Sequence, residues 1–355
     1  MLGVDARAFR VVWTVFVFGL LLATVYAIRE TLMLFALAVF FAYMLAPLVT
    51  LIERFTPKRR GIALMIVYVL LVGSLVTLGV NVGSQIADEA SSFFSRLPEL
   101  LQQNKLDRFP LPWWLEPLRD RIVGALQNAA SDVQASIVPL LQQAGGRILS
   151  GLTFLILIVL VPLLSFFLLK DAREINQLIL TTLEGAGDRV FMRQIVADID
   201  LLLSQYIRAL VLLAFVSFTA WAIFLYAVHA PYPLLLAGIS GALEFIPGVG
   251  PAVAGATALL VCGISGYGNW LLGIAIFWVC FRLLQDYALS PYLMSAGVQL
   301  HPLLVLFAVF AGGHIGGIRG MFFSVPVIAI LKVLVVRLRE AHLRRTLTEH
   351  PVISG

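Results

Sequence analysis

The feature that most constrains this chain is its series of apolar runs, at about 11–28, 31–52, 61–82, 151–169, 207–228 and 270–288. Each comes close to or reaches the roughly 20 residues that an α-helix needs to cross a hydrocarbon core. A transmembrane barrel would instead show alternating strands of about ten residues. Composition agrees: 60% of the residues are apolar and 13% charged, too little polar surface to cover a soluble globule of 355 residues. The missing solvent is lipid, and the chain reads as an all-α, polytopic membrane protein.

Charge sets the expected topology. Arg54, Lys58, Arg59 and Arg60 fill the short loop after the second run, and a cluster from Lys332 to Arg345 follows the last one. Short loops rich in Lys and Arg stay on the cytoplasmic side, so this loop and the C-terminus are expected there. The first two runs, separated by Arg29-Glu30, read as an antiparallel hairpin that puts the N-terminus on the same side. The first run is too long for a signal-peptide core and is followed at once by the second. The net charge of +5 is explained by these membrane-flanking clusters, and nucleic acid is not an expected partner. Cys262 and Cys280 both lie in apolar runs, which supports neither a disulfide framework nor a metal site. No cofactor motif, nucleophile elbow or phosphate loop occurs, and the chain does not read as an enzyme.

Residues 84–150 differ in kind, with seven acids, six bases and many Gln, Asn, Ser and Ala. They read as an extracytoplasmic helical insert. In its middle, Phe109-Pro110-Leu111-Pro112-Trp113-Trp114 is a break suited either to a membrane interface or to a turn packed on its own flanks. After the fourth span, apolar residues at helical spacing (Ile175, Leu178, Ile179, Leu183, then Ile195, Ile199, Leu202) predict one or two amphipathic helices at the inner surface, ending near 206.

Beyond 228 the simple pattern fails. The apolar stretch 234–264 is interrupted by Pro247-Gly248-Val249-Gly250-Pro251, and 303–331 is interrupted at Gly312-Gly313-His314-Ile315-Gly316-Gly317-Ile318-Arg319-Gly320. A straight helix does not tolerate the first of these, where two N–H donors are missing and glycines free the backbone. Two re-entrant hairpins around one plain span satisfy the topology, as do three full crossings. The short half-segments favour the hairpins.

Between Ala209 and Leu331 only Glu244, Arg282, Asp286 and Arg319 are formally charged. A charge at bilayer depth costs at least about 2.5–3.5 kcal/mol, so such residues face a partner or a polar cavity. Arg282 and Asp286 lie four apart and can pair on one helix, which leaves Glu244 and Arg319 as a possible pair between the two broken segments. Together with Pro247, Gly248, Gly250, Pro251, Gln285, Gly312, Gly313 and His314 they form the candidate solute or ion pathway. Ser217 and Ser240 read as helix-packing groups, and His301 as a loop or interface residue.

Several stretches resemble the autoinducer-2 exporter family of bacterial membrane proteins, which includes permease-like members. They are Pro162-Leu163-Leu164-Ser165-Phe166-Phe167-Leu168-Leu169-Lys170-Asp171, Glu244-Phe245-Ile246-Pro247-Gly248-Val249-Gly250-Pro251, and the run from Gln285-Asp286 through Ser290-Pro291 and His301-Pro302 to Val325-Pro326. The resemblance implies a bacterial inner-membrane transporter with about seven or eight membrane segments and a large loop after the third span, assembled as a five-fold homo-oligomer. It implies two cargoes, since some members are associated with export of the signalling molecule and others with exchange of sodium or lithium for protons. A non-transporting envelope scaffold is the alternative from another class. The expected organisation is spans 1–3 in 1–83, the insert in 84–150, the fourth span and amphipathic helices in 151–205, a transport core in 206–338 and a cytoplasmic tail in 339–355.

Overall fold

The computed structural model describes residues 6–56, 60–100, 152–183, 189–289 and 300–349, with Pro117, Arg121 and Gly124, and every regular element among them is helical. In chain order these are α1 (Ala6–Ala27), α2 (Arg29–Phe55), α3 (Arg60–Leu78), α4 (Ser84–Leu100), α5 (Leu152–Lys170), α6 (Ala172–Leu183), α7 (Arg189–Ala227), α8 (Pro233–Leu243), α9 (Val249–Ile264), α10 (Leu271–Leu284) and α11 (Pro302–Glu349). Among the described residues six helical stretches are long and apolar enough to span a bilayer, and three shorter apolar helices accompany them. The fold is that of an all-α multi-pass membrane protein. The Phe109–Trp114 break, most of the insert and Ser290-Pro291 lie outside the described residues. Contacts divide the chain into two units, Met1–Val67 with Leu149–Gln177, and Tyr68–Ile148 with Leu178–Gly355.

In the first unit, α2 buries Ala38, Ala42, Leu45 and Val49, a stripe at steps of four, three and four along one face. Among the described side chains of α5, Val161, Ser165 and Leu169 are buried, again one turn apart. The Arg60 guanidinium donates to the Leu169 carbonyl at 2.7 Å, satisfying a carbonyl of the last turn of α5. Around this core the large apolar side chains point outward: Val11, Phe16, Phe18 and Leu21 are all more than half exposed, as a lipid-facing surface requires.

The antiparallel hairpin expected at Arg29-Glu30 is not formed. Ile28 donates to the Thr24 carbonyl at 3.0 Å and accepts from Leu32 at 2.9 Å, so helical bonding runs through the joint. Nothing in the stretch frees the backbone for a reversal, and two charged residues alone do not end a helix. Arg29 instead folds back over the Tyr26 ring, 4.2 Å from its centroid. No reversal at this joint returns the N-terminus to the side of the basic loop.

In the second unit α7 is the longest regular helix, 39 residues without a break. The boundary expected near 206 is absent, because the amphipathic stretch and the spanning stretch share one helical period. α8 and α9 fold back on each other around Glu244–Gly248, and the close approach is permitted by Gly250, where a Cβ would run into the Leu243 carbonyl. The beginning of α8 and the end of α9 both meet α4: Phe93 packs edge-on against Tyr232 at 5.3 Å, and Leu97 clusters with Ile264. The hairpin thus leaves at the end where it entered. α4 also supplies a cap, since Glu89 Oε2 accepts from the Leu235 amide at 2.8 Å in the first turn of α8, where a carboxylate is most favourable. The start of the expected insert is thus docked on this hairpin.

α11 is two helical arms joined at Gly317, whose φ of 59° and ψ of −144° only glycine adopts freely. The arms 302–316 and 318–349 are antiparallel where they meet, with Gly312 against Gly320 so closely that a side chain on either would strike the other's carbonyl. Both interrupted stretches are therefore helical hairpins. Gly250→Ala and Gly320→Ala are each expected to lower the thermal stability of the detergent-solubilised protein by about 1–3 kcal/mol. Gly73→Ala, with nothing within 4 Å of its added Cβ, should be neutral or stabilising, as heat-induced loss of monodisperse protein will show.

Candidate functional site

The site is organised by the docking of α8 on α7. The Ser217 and Ser240 hydroxyls are hydrogen bonded at 2.8 Å, and the bare α-carbon of Gly241 lets the α8 backbone sit against the Ala214 carbonyl. This contact sets the end of α8 level with the middle of α7. Glu244 follows as the C-cap of α8, with its side chain carried inward and only 6% of its surface exposed. Gly248, at φ 79°, then turns the chain into α9. Trp278 of α10 lies over Gly255 and donates to the Pro251 carbonyl at 3.1 Å, which clamps the returning arm.

Between these elements is a cavity of about 250 Å³. Leu202, Gln205, Tyr206, Leu210 and Leu213 of α7 form one wall, and Glu244, Pro247, Gly248 and Pro251 form the break side. Arg282 and Asp286 enter from the end of α10 and the π-helical turn that follows it, while Val305, Val325 and Ala329 come from the two arms of α11. A π-turn inserted after an α-helix is a frequent device for aiming side chains at a site.

Arg282 and Asp286 are paired at 2.8 Å along their own helix, as their spacing predicts. Glu244 is thereby left without an ion-pair partner among the described residues. Its carboxylate feels Gln285, Arg282 and Ser217 as favourable neighbours and Asp286 as an unfavourable one. Gln285 stops short of a hydrogen bond: its Nε2 is buried with no partner, and so are Gln205 Oε1 and the Tyr206 hydroxyl. An orphaned buried polar group costs about 1–3 kcal/mol. Two of them, Gln205 and Tyr206, line the cavity and Gln285 lies buried beside Glu244, which marks the cavity as a place that takes up water or a polar molecule.

The break itself offers less backbone than the sequence led one to expect. The Ile246, Val249 and Gly250 amides donate to the Leu243, Pro247 and Ile246 carbonyls at 2.8–3.0 Å, and Pro247 and Pro251 have no N–H to give. The turn consumes its own hydrogen bonds, so side chains supply the polarity. Arg282 and Asp286 cancel, so the charge of these three is that of Glu244, −1 when ionised and zero when protonated, which disfavours an anion and suits a cation or an uncharged hydrogen-bonding molecule.

Of the residues singled out from sequence, Glu244, Pro247, Gly248, Pro251, Arg282 and Asp286 line the cavity. Gln285 is buried beside Glu244. Gly250, Gly312 and Gly313 serve the close approach of helical arms, Gly313 lying against Met321. His314 and Arg319 are exposed and do not line the cavity, and no ion pair joins Arg319 to Glu244 among the described residues. The reason is geometric: the second hairpin presents its arms to the cavity, through Val305 and Val325, and carries its glycine-rich turn beyond it. Gln205 and Tyr206 were missed. The spacing of Leu202, Tyr206, Leu210 and Leu213 on one helical face held the signal, hidden by ending the amphipathic helix at 206.

A family model described as the AI-2E family transporter matches residues 14–340. The chain is 27% identical over 318 residues to the provisionally named transport protein YueF of Bacillus subtilis, covering 86% of this chain and 84% of that one. It is 28% identical over 259 residues to the provisionally named permease PerM of Escherichia coli K12, covering 71% and 67%. A third relative, the provisionally named transport protein YrrI of Bacillus subtilis, is 30% identical over 200 residues, 56% of this chain and 54% of its own. With a model that spans nearly its whole length, the chain belongs to the AI-2E transporter family.

Proposed function

We propose that this protein is a secondary transporter that exports a small polar solute of the autoinducer-2 kind by alternating access, using the Glu244 cavity as its binding site. One observation carries the proposal: a buried carboxylate without an ion-pair partner and the orphaned Gln205 and Tyr206 side chains line one cavity where a helical hairpin ends against a membrane helix. Interrupted helices meeting intramembrane charge are the usual architecture of a transport site.

Glu244 accepts hydrogen bonds from the cargo, Gln205, Tyr206 and Gln285 select it, and Arg282 holds Asp286 beside them. Pro247, Gly248, Gly250 and Pro251 form the turn that moves with Glu244, while Gly312, Gly313, His314 and Arg319 form the turn of the second hairpin at the edge of the pathway. The protein works in the bacterial inner membrane as a homo-oligomer, five-fold by resemblance, with the basic loop before α3 and the C-terminus in the cytoplasm and the 84–150 segment outside. Residues 206–338 are the transport core.

A buried carboxyl beside a self-cancelling Arg282–Asp286 pair favours a second reading, exchange of sodium or lithium for protons, with Glu244 alternating between cation and proton.

Cells exporting autoinducer-2 through the protein are expected to lose at least about tenfold of that export with Glu244→Gln or Asp286→Asn, at unchanged membrane abundance. Unchanged export in both variants removes the site assignment. Gln205→Leu and Tyr206→Phe should each reduce export by a smaller factor, about threefold to tenfold, the loss of one hydrogen bond. In proteoliposomes without organic solute, proton movement on addition of sodium or lithium, abolished by Glu244→Gln, would favour the cation exchanger.

A further inference from the structure

One charged contact in the second unit lies outside the cavity yet joins two of its walls. Asp198 stands one helical turn before Leu202 on α7, on the same face, about 6 Å away along the axis. Its Oδ2 accepts from Nε of Arg337 at 2.6 Å and lies 2.6 Å from Nη2 of the same guanidinium. Arg337 lies on the long arm of α11, two turns beyond the cavity-lining Ala329. This ion pair joins two separate elements of the unit, whereas Arg282–Asp286 and Arg337–Glu340 each stay within one helical stretch.

Two further features suit it to being broken and remade. The side chains are 25% and 35% exposed, so water reaches them and screens the attraction. Arg337 Nη1 also donates to Glu340 Oε2 at 3.1 Å, one turn along its own helix. If α7 and α11 part, the guanidinium therefore keeps a carboxylate, and separation strands no unpaired cation.

We propose that Asp198 and Arg337 form a reversible latch that holds α7 against the long arm of α11 and closes the cavity at the end where that arm leaves it, with Glu340 as the resting partner of the open state. The latch rests on the reading of the cavity as a transport site, but its test requires no solute.

Leu202→Cys is introduced in the full chain with Cys262→Ala and Cys280→Ser, the protein is reconstituted in liposomes, and the rate of reaction with a membrane-impermeant maleimide is measured. Asp198→Asn and Arg337→Gln should each raise the rate by about fivefold, the equivalent of one partly exposed ion pair. The exchanged pair, Asp198→Arg with Arg337→Asp, should return the rate toward that of the parent. Glu340→Gln should lower the rate, because it removes the partner that supports opening; general loosening of the fold cannot produce that direction. Equal labelling in parent and both neutral variants, or an exchanged pair that labels as fast as they do, overturns the latch. If the labelling behaves as expected but no solute or ion moves, the latch stands and the transport reading fails.

Discussion

A peptide group removed from water must find its hydrogen bond within the chain, and this protein's architecture follows from that requirement. It explains why every described element is helical. It also explains why the two interruptions take the form they do. At Glu244–Gly248 the amides turn back on carbonyls of the preceding turn, two prolines remove donors that would otherwise be stranded, and Gly248 accepts the positive φ that closes the bend. The break is thereby made quiet, and the polarity that remains belongs to side chains that can be chosen residue by residue.

Glycine does the complementary work. Gly241, Gly250, Gly255, Gly312 and Gly320 each stand where a neighbouring backbone or an indole ring occupies the space of a side chain. In lipid, where apolar burial gives helices little reason to associate, such close approach supplies the packing contacts that hold them. The two hairpins are thus held by backbone proximity, and the cavity forms where the first hairpin ends short of α10 and α11. The ion pair of Arg282 with Asp286 then isolates Glu244, because each charge on α10 already has its counterpart one turn away.

Much of this was legible in the sequence. The apolar runs gave the class, the Pro-Gly cluster at 247–251 and the glycine cluster at 312–320 gave the hairpins, and the scarcity of charge between 209 and 331 pointed to Glu244, Arg282 and Asp286, which the fold brings together. Local spacing was a sound guide wherever the partners were local, as with Arg282 and Asp286. It failed where geometry is set by distant packing. Arg319 and His314 share a glycine-rich motif with residues that matter to the hairpin, but the turn carries them past the cavity. Gln205 and Tyr206 sit in a stretch whose composition reads as surface, and only the unbroken course of α7 turns that stretch toward Glu244. The joint at Ile28 shows the converse: two adjacent charges look like a loop, yet without glycine or proline the helix carries on.

That unbroken course has a mechanical meaning. α7 is a single rigid lever whose one end bears Asp198, whose middle walls the cavity and whose far half is riveted to α8 through Ser217. A tilt of about 5° about the rivet displaces Asp198 by about 2.5 Å, over a reach of about 28 Å. Motion at the serine contact and motion at the charged end are therefore one motion.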